Sequence, residues 1–288
     1  MLPLLLSVLA AIGFVGATLL VDTAFGTSRT FHHLSVVIAA GILLGVAFAD
    51  LIPETLELLT TTRAAISIAI GFLVLFLVES LTSGHTHHHE PHAHGHAHAH
   101  AHSHGPAADS DGCVPRHAIV PFLVGLSIHN LADGMVIAAS DEVSDAASSG
   151  VALGILIHQL PVGLSFAAVL IASDLPVGRV IRDALLVGAM IPLGALVVLA
   201  VPDPSSTMLG TIIGISAGAL LYIASGHLLP EAQSEHRRPG IAAAFATALL
   251  GTVLFIGAFH DHAHGHAEHD DHEGAEHADD SEHEHDHA

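Results

Sequence analysis

The sequence predicts an all-α membrane protein with eight transmembrane helices in a 3+2+3 arrangement. Three observations carry this. Hydrophobic residues make up 51% of the 288-residue chain, and the mean hydropathy is +0.62, above that of ordinary soluble domains. Apolar stretches of about 20 residues recur along the chain, the length that crosses a bilayer as a helix. When those stretches are threaded alternately through a membrane, the arginines collect on one side.

The eight segments run at about 3–22, 34–56, 63–82, 118–140, 149–172, 180–200, 208–230 and 240–259. The first resembles the apolar core of a signal peptide. It lacks the positive leading region and its apolar run is too long, so it reads as a first membrane helix. Segment two ends in LIPET and carries Asp50 and Glu54, with Glu57 just beyond. Segment three has Glu79 near its far end. Next comes the tract 85–104, HTHHHEPHAHGHAHAHAHSH, with eleven histidines and no pattern of regular structure. Segments four and five carry the polar motifs discussed below. Segment seven ends with His227 and Glu231. After segment eight, the tail 260–288 holds ten histidines and eleven carboxylates. The chain therefore divides into helices one to three (1–84), a cytoplasmic His-rich loop (85–117), helices four to eight (118–259) and a disordered external tail (260–288).

The orientation rests on the arginines. With the N-terminus outside, Arg29, Arg116, Arg179, Arg182, Arg237 and Arg238 fall in cytoplasmic loops and only Arg63 lies outside. Six against one is a strong positive-inside bias. Asp141, Glu142, Asp145 and Asp203 then face the exterior, as does the C-terminal tail.

Two internal repeats stand out. AGILLGVAFADLIPET, Ala40 to Thr55, matches AGALLYIASGHLLPEA, Ala217 to Ala232, at eight of sixteen positions, including the Pro-Glu end. In an eight-helix chain, segments two and seven run in opposite directions. Helices one to three and six to eight therefore read as inverted repeats around helices four and five, the plan of many secondary transporters. Gly41 and Gly45, and Gly210, Gly214 and Gly218, have the four-residue spacing that lets helix backbones approach. The second repeat pairs GLSIHNLADG, Gly125 to Gly134, with GILIHQLPVG, Gly154 to Gly163, so that His158 falls where His129 did.

That second repeat carries the chemistry. His129 and Asp133 are four apart and share a helix face. Ionisable groups inside a membrane face a cavity or each other and mark function. Two histidines and a carboxylate at similar depth form a normal ligand set for zinc or a similar divalent ion. A hydrogen-bonded polar cluster holding the two helices together is the plainer alternative. Asn130 and Gln159 occupy matching positions and either supply oxygen ligands or orient a neighbour. Pro161 removes a backbone donor and frees the carbonyl of Ile157 one turn back. Asp50, Glu54, His227 and Glu231 read as a cation pathway near the helix mouths, with Asp50 and His227 the deeper two. Glu57 and Glu231 are equally well explained as interfacial anchors, and Glu79 as a helix end or an exit group. The two histidine tracts read as metal collectors of modest geometric choice.

Composition excludes other classes. The net charge is −21 and there is no lysine, so nucleic acid is not a partner. Cys113 is the single cysteine, so no intrachain disulfide forms, and it reads as an incidental loop thiol.

HNLADG, HQLPVG and the paired LIPE/LLPE segments resemble the ZIP (Zrt-, Irt-like protein) family of divalent-metal transporters, over about residues 3–259. The family's helix-four pattern, HNxxDG, matches His129, Asn130, Asp133 and Gly134. The resemblance implies transport of Zn2+, and often Fe2+, Mn2+ or Cd2+, toward the cytoplasm. It also implies a multi-pass protein of the cell membrane with external termini, and commonly a homodimer. The helix-five match is partial: His158 and Pro161 agree, but Gln159 and Val162 stand where acidic or histidine ligands are frequent in the family. Ile191, before Pro192, replaces an acidic residue that helps bind a second metal in binuclear members. With Asp133 as the one carboxylate on helices four and five, the expectation is a single ion, since two divalent cations repel strongly.

Other functions fit less well, a metal-sensing membrane protein among them, which expects an output domain. Efflux of the cation-diffusion-facilitator type expects six helices, a second HxxxD and a folded C-terminal domain. An intramembrane metalloenzyme expects a general base beside the metal, as in HExxH, and none occurs. The chain reads as a transporter and not as an enzyme.

Overall fold

The computed structural model describes residues 1–24, 29–82, 118–140, 145–201, 204–230 and 239–265, with side chains over a slightly narrower range. Among them there are helices and no strands. Eight helices are long and apolar enough to cross a membrane: α1 (Leu2–Leu20), α2 (His33–Leu58), α3 (Thr61–Thr82), α4 (Ile119–Ser140), α5 (Ala152–Ala172), α6 (Val177–Ala200), α7 (Ser206–Leu228) and α8 (Pro239–Ala258). They agree with the eight expected segments to within a few residues. Glu231, Cys113, Arg116, the 85–104 tract and most of the 260–288 tail lie outside the described residues.

α2, α4, α5 and α7 are mostly buried, whereas α3 and α8 are mostly exposed. Leu73, Phe76 and Leu77 on α3 and Leu250 and Leu254 on α8 are bare apolar side chains. Such a surface is ill suited to water and natural in hydrocarbon. The main core gathers Leu43, Leu51, Phe122, Leu126, Phe166 and Leu220, from α2, α4, α5 and α7. Those four helices are therefore the frame in which buried polar groups are held.

The helices pair in a regular way. α3 packs on α7 and α2 on α8, while α4 packs on α6 and α5 on α1. Between these sets, α2 meets α5 and α4 meets α7. Small residues make the close approaches. A Cβ on Gly71 of α3 would run into the Ile215 backbone of α7, and one on Gly218 would run into the Ile68 carbonyl of α3. Gly134 and Gly194 stand in the same relation between α4 and α6. Gly41 and Gly45 admit Ala248 and Thr252 of α8, and Gly210 and Gly214 admit Leu58, Leu59 and Ser67. The sequence singled out both glycine sets as points of close packing, and that is their role.

α2 and α7 each contain one turn of π-helix, at Ala47–Leu51 and Ala224–Leu228. The two turns occupy equivalent positions in the repeated sixteen residues. A π turn inserts one residue into the helical register and re-aims the side chains around it, and such turns recur at functional sites. Asp50 lies in the first and His227 in the second.

Candidate metal centre

α4 runs unbroken through its polar motif, because in hydrocarbon each backbone group is bonded within the helix, and Gly134 is used for packing. His129 and Asp133 thus project from one face, one turn apart. α5 carries Pro161 inside a continuous helix, Asp145–Ala172, with His158 one turn before it. Both imidazoles and the carboxylate are almost wholly shielded from solvent: His129 is 0% exposed, Asp133 3% and His158 3%.

The three meet at one oxygen. Asp133 Oδ2 lies 3.1 Å from His158 Nε2 and 3.6 Å from His129 Nε2. The ligand atoms of all three residues fall within 4.8 Å of one another. Ligands about 2.1 Å from a tetrahedral ion stand about 3.4 Å apart, so these separations suit a shared small cation. The two rings sit 5.6 Å apart, tilted by 31°. His129 Nε2 has no hydrogen-bond partner despite its full burial. An unsatisfied buried polar atom costs about 1–3 kcal/mol, and a cation at this point would use its lone pair. Among the described residues this is the one cluster of three such side chains with metal-binding geometry.

The neighbouring amides differ. Gln159 Nε2 donates to Asp133 Oδ2 and so joins the cluster. Its own oxygen is buried without a partner. Asn130 Nδ2 instead donates to the Val187 carbonyl at 3.0 Å, tying α4 to α6. Its Oδ1 is also buried and unpartnered. The matching sequence positions therefore hold different neighbours: Gln159 touches the carboxylate and Asn130 braces a helix.

Of the residues read as a pathway, Asp50 comes nearest. Its carboxylate oxygen lies 3.5 Å from His158 Nδ1, on the opposite side of that ring from Asp133. α2 thus adds a second acid beside the single carboxylate of α4 and α5. Along α2 from there, Glu54 is half-buried and Glu57 is exposed, a staircase of carboxylates leading from the centre. At the end of α7, His227 Nε2 lies 3.0 Å from Glu79 Oε1 of α3. The Tyr222 hydroxyl donates to the other oxygen of Glu79 in a short hydrogen bond. Phe72, Phe76 and His227 all pack edge-on against the Tyr222 ring. The structure thus joins His227 and Glu79, which the sequence weighed separately.

Two residues had no signal in the sequence. Ser216 of α7 places its hydroxyl 3.5 Å from His129 Nδ1. Tyr222 is an unremarkable member of an apolar run. Only knowledge of which helices touch reveals either one.

Comparisons with known proteins identify the family. A family model described as ZIP Zinc transporter matches residues 2–118 and 106–259. The zinc transporter foi of Drosophila melanogaster is 28% identical over 135 residues, 47% of this chain and 19% of that protein. The zinc transporter ZIP10 of Mus musculus is 33% identical over 109 residues, 38% of this chain and 13% of that protein. The zinc transporter ZIP9-A of Xenopus laevis is 24% identical over 201 residues, 66% of this chain and 60% of that protein. The aligned region is thus less than a fifth of the first two relatives and three-fifths of the third. With eight membrane-length helices and the family model spanning nearly all of them, the chain is a multi-pass membrane protein that belongs to the ZIP zinc transporter family.

Proposed function

We propose that this protein carries a divalent metal ion, zinc foremost, across the membrane toward the cytoplasm, with His129, Asp133 and His158 as the ligands it passes through. The observation that carries the proposal is the convergence of two imidazoles and a carboxylate within 4.8 Å, buried between membrane-length helices. An ion leaving water must exchange its hydration shell for ligands, and this cluster offers three, with water or Gln159 for a fourth. Asp133 offsets part of the charge of the cation where the dielectric is low. Iron, manganese and cadmium suit the same donors, since affinity among such ions is set by ligand type and geometry.

The orientation belongs to the same reading. Cytoplasmic arginines place both termini outside and the 85–104 tract inside. The aligned π turns of α2 and α7, and the reciprocal packing of α3 on α7 and α2 on α8, support an inverted repeat. A homodimer in the cell membrane completes the proposal on the strength of the family resemblance. Transport needs no reaction on the ion, so no enzymatic role is assigned.

The decisive experiment is uptake of zinc into liposomes containing the full chain. His129→Ala, Asp133→Ala and His158→Ala each lose most uptake while remaining folded. Normal uptake in all three variants would overturn the assignment of the centre. Direction is tested separately. In a Cys113→Ser background, a cysteine placed by S281C reacts with an impermeant thiol reagent on intact cells, and one placed by S103C does not. The reverse pattern would invert the orientation.

A further inference from the structure

The two imidazoles of the centre are alike in one respect that the ligand set alone does not require. Each turns Nε2 toward Asp133 and Nδ1 away from it. Each Nδ1 then meets a polar side chain from a helix that contributes no ligand. For His158 it is Asp50 of α2, at 3.5 Å, and for His129 it is Ser216 of α7, also at 3.5 Å. All four side chains are buried, Ser216 and His129 completely.

A neutral imidazole that ligates through Nε2 carries its proton on Nδ1. In a dry interior that N–H needs an acceptor. With one, the ring keeps a single tautomer and a single orientation. Without one, the proton can sit on Nε2 instead, where it blocks the lone pair. We infer that Asp50 and Ser216 are positioning residues for the cation, holding His158 and His129 in the tautomer and ring orientation that leave both Nε2 atoms free to ligate. The inference rests on the proposed role of His129, Asp133 and His158. It differs from the reading of Asp50 as a mouth carboxylate that draws cations from solution.

The backbone fits this assignment. Asp50 falls inside the π turn Ala47–Leu51, which re-aims its side chain relative to the α-helix on either side. Ser216 lies in the regular part of α7, between Gly214 and Gly218, where α7 is closely packed against α3. The two supports are unequal in strength. A carboxylate is a charged acceptor and raises the donor strength of the ring that it holds. A hydroxyl is neutral and also rotates to donate elsewhere. Asp50 is therefore the more consequential of the pair.

The test is zinc uptake by the full chain in liposomes, with half-saturating zinc and maximal rate measured apart. The variants are Asp50→Ala, Asp50→Asn, Ser216→Ala and Ser216→Thr, with His129→Ala as reference and equal amounts of monodisperse protein. Asp50→Ala raises half-saturating zinc about ten- to a hundredfold, the usual effect of losing a ligand's hydrogen-bond partner. Asp50→Asn keeps an oxygen acceptor in place without the charge and recovers most of that loss. Ser216→Ala gives a smaller rise, and Ser216→Thr restores it. If Asp50→Asn is as impaired as Asp50→Ala, charge is what matters and the positioning role is refuted. If neither variant differs from wild type, it is refuted as well. His129→Ala separates the two levels: its loss of uptake preserves the transport reading when the Asp50 variants fail, whereas its normal uptake overturns the transport site itself.

Discussion

The π turns of α2 and α7 are the same backbone device put to different uses. Both occupy the same five positions of a repeated sixteen-residue segment, and both carry one ionisable side chain. In α2 that residue is Asp50, which reaches an imidazole on α5. In α7 it is His227, which reaches a carboxylate on α3. Acid and imidazole have exchanged places. The surroundings differ too: the Asp50 and His158 side chains are 11% and 4% exposed, whereas Glu79 is 22% exposed. The first pair includes His158, one of the three residues of the candidate centre. The second is held by Tyr222 and two phenylalanines near the end of the chain segment that leads into the 85–104 tract. A repeat therefore preserves where the helix is distorted, while the side chain placed there decides whether the distortion serves a buried centre or an end of the bundle.

Several substitutions break this contrast. The largest effect is expected at the buried centre, where Asp133→Ala leaves two imidazoles without their shared carboxylate. Uptake falls close to background, and zinc bound by protein lacking residues 85–104 and 260–288 falls with it. A next, smaller loss is expected at the other pair. Glu79→Gln or His227→Ala slows uptake but leaves zinc binding by the same truncated protein intact, because the three central ligands remain. Equal loss of binding in these variants and in Asp133→Ala would show that the two regions act as one site.

Packing gives a third test. Gly218→Val pushes a side chain into the Ile68 carbonyl of α3, and so separates α3 from α7 around Tyr222 and Glu79. Overpacking of this kind costs about 1–3 kcal/mol and lowers the melting temperature in detergent. His129, Asp133 and His158 all lie on α4 and α5, so the fraction of protein that remains folded still binds zinc, more weakly where the shift of α7 draws Ser216 away from His129. The smallest effect is expected from deleting residues 85–104. Transport persists, while sensitivity to excess metal changes, and that difference fades below about pH 6 as free imidazoles protonate. Loss of transport in the inserted deletion variant would make the tract part of the route.

Much of this is legible in the amino-acid sequence alone. Helix number and placement follow from runs of apolar residues, since a bilayer fixes the length of a spanning helix. His129 and Asp133 were readable as neighbours because a helix stacks residues four apart. His158 was readable as their partner because its motif repeats theirs. Those inferences needed only one helix or two similar ones. Asp50 shows where that logic ends: its sequence position suggested the mouth of a helix, yet its carboxylate lies against His158. Ser216 and Tyr222 gave no signal, because a serine or tyrosine in an apolar run has no partner until another helix supplies one. The sequence by itself determined the eight helices, the candidate triad His129, Asp133 and His158 and the two repeats, through local periodicity, motif repetition and membrane thickness. Tertiary structure decided that α2 faces α5 and α7 faces α4, and hence which side chain stands behind each imidazole. Helix neighbours are chosen by packing over the whole bundle, at small-residue contacts such as Gly71 on Ile215, and no stretch of chain encodes that choice alone.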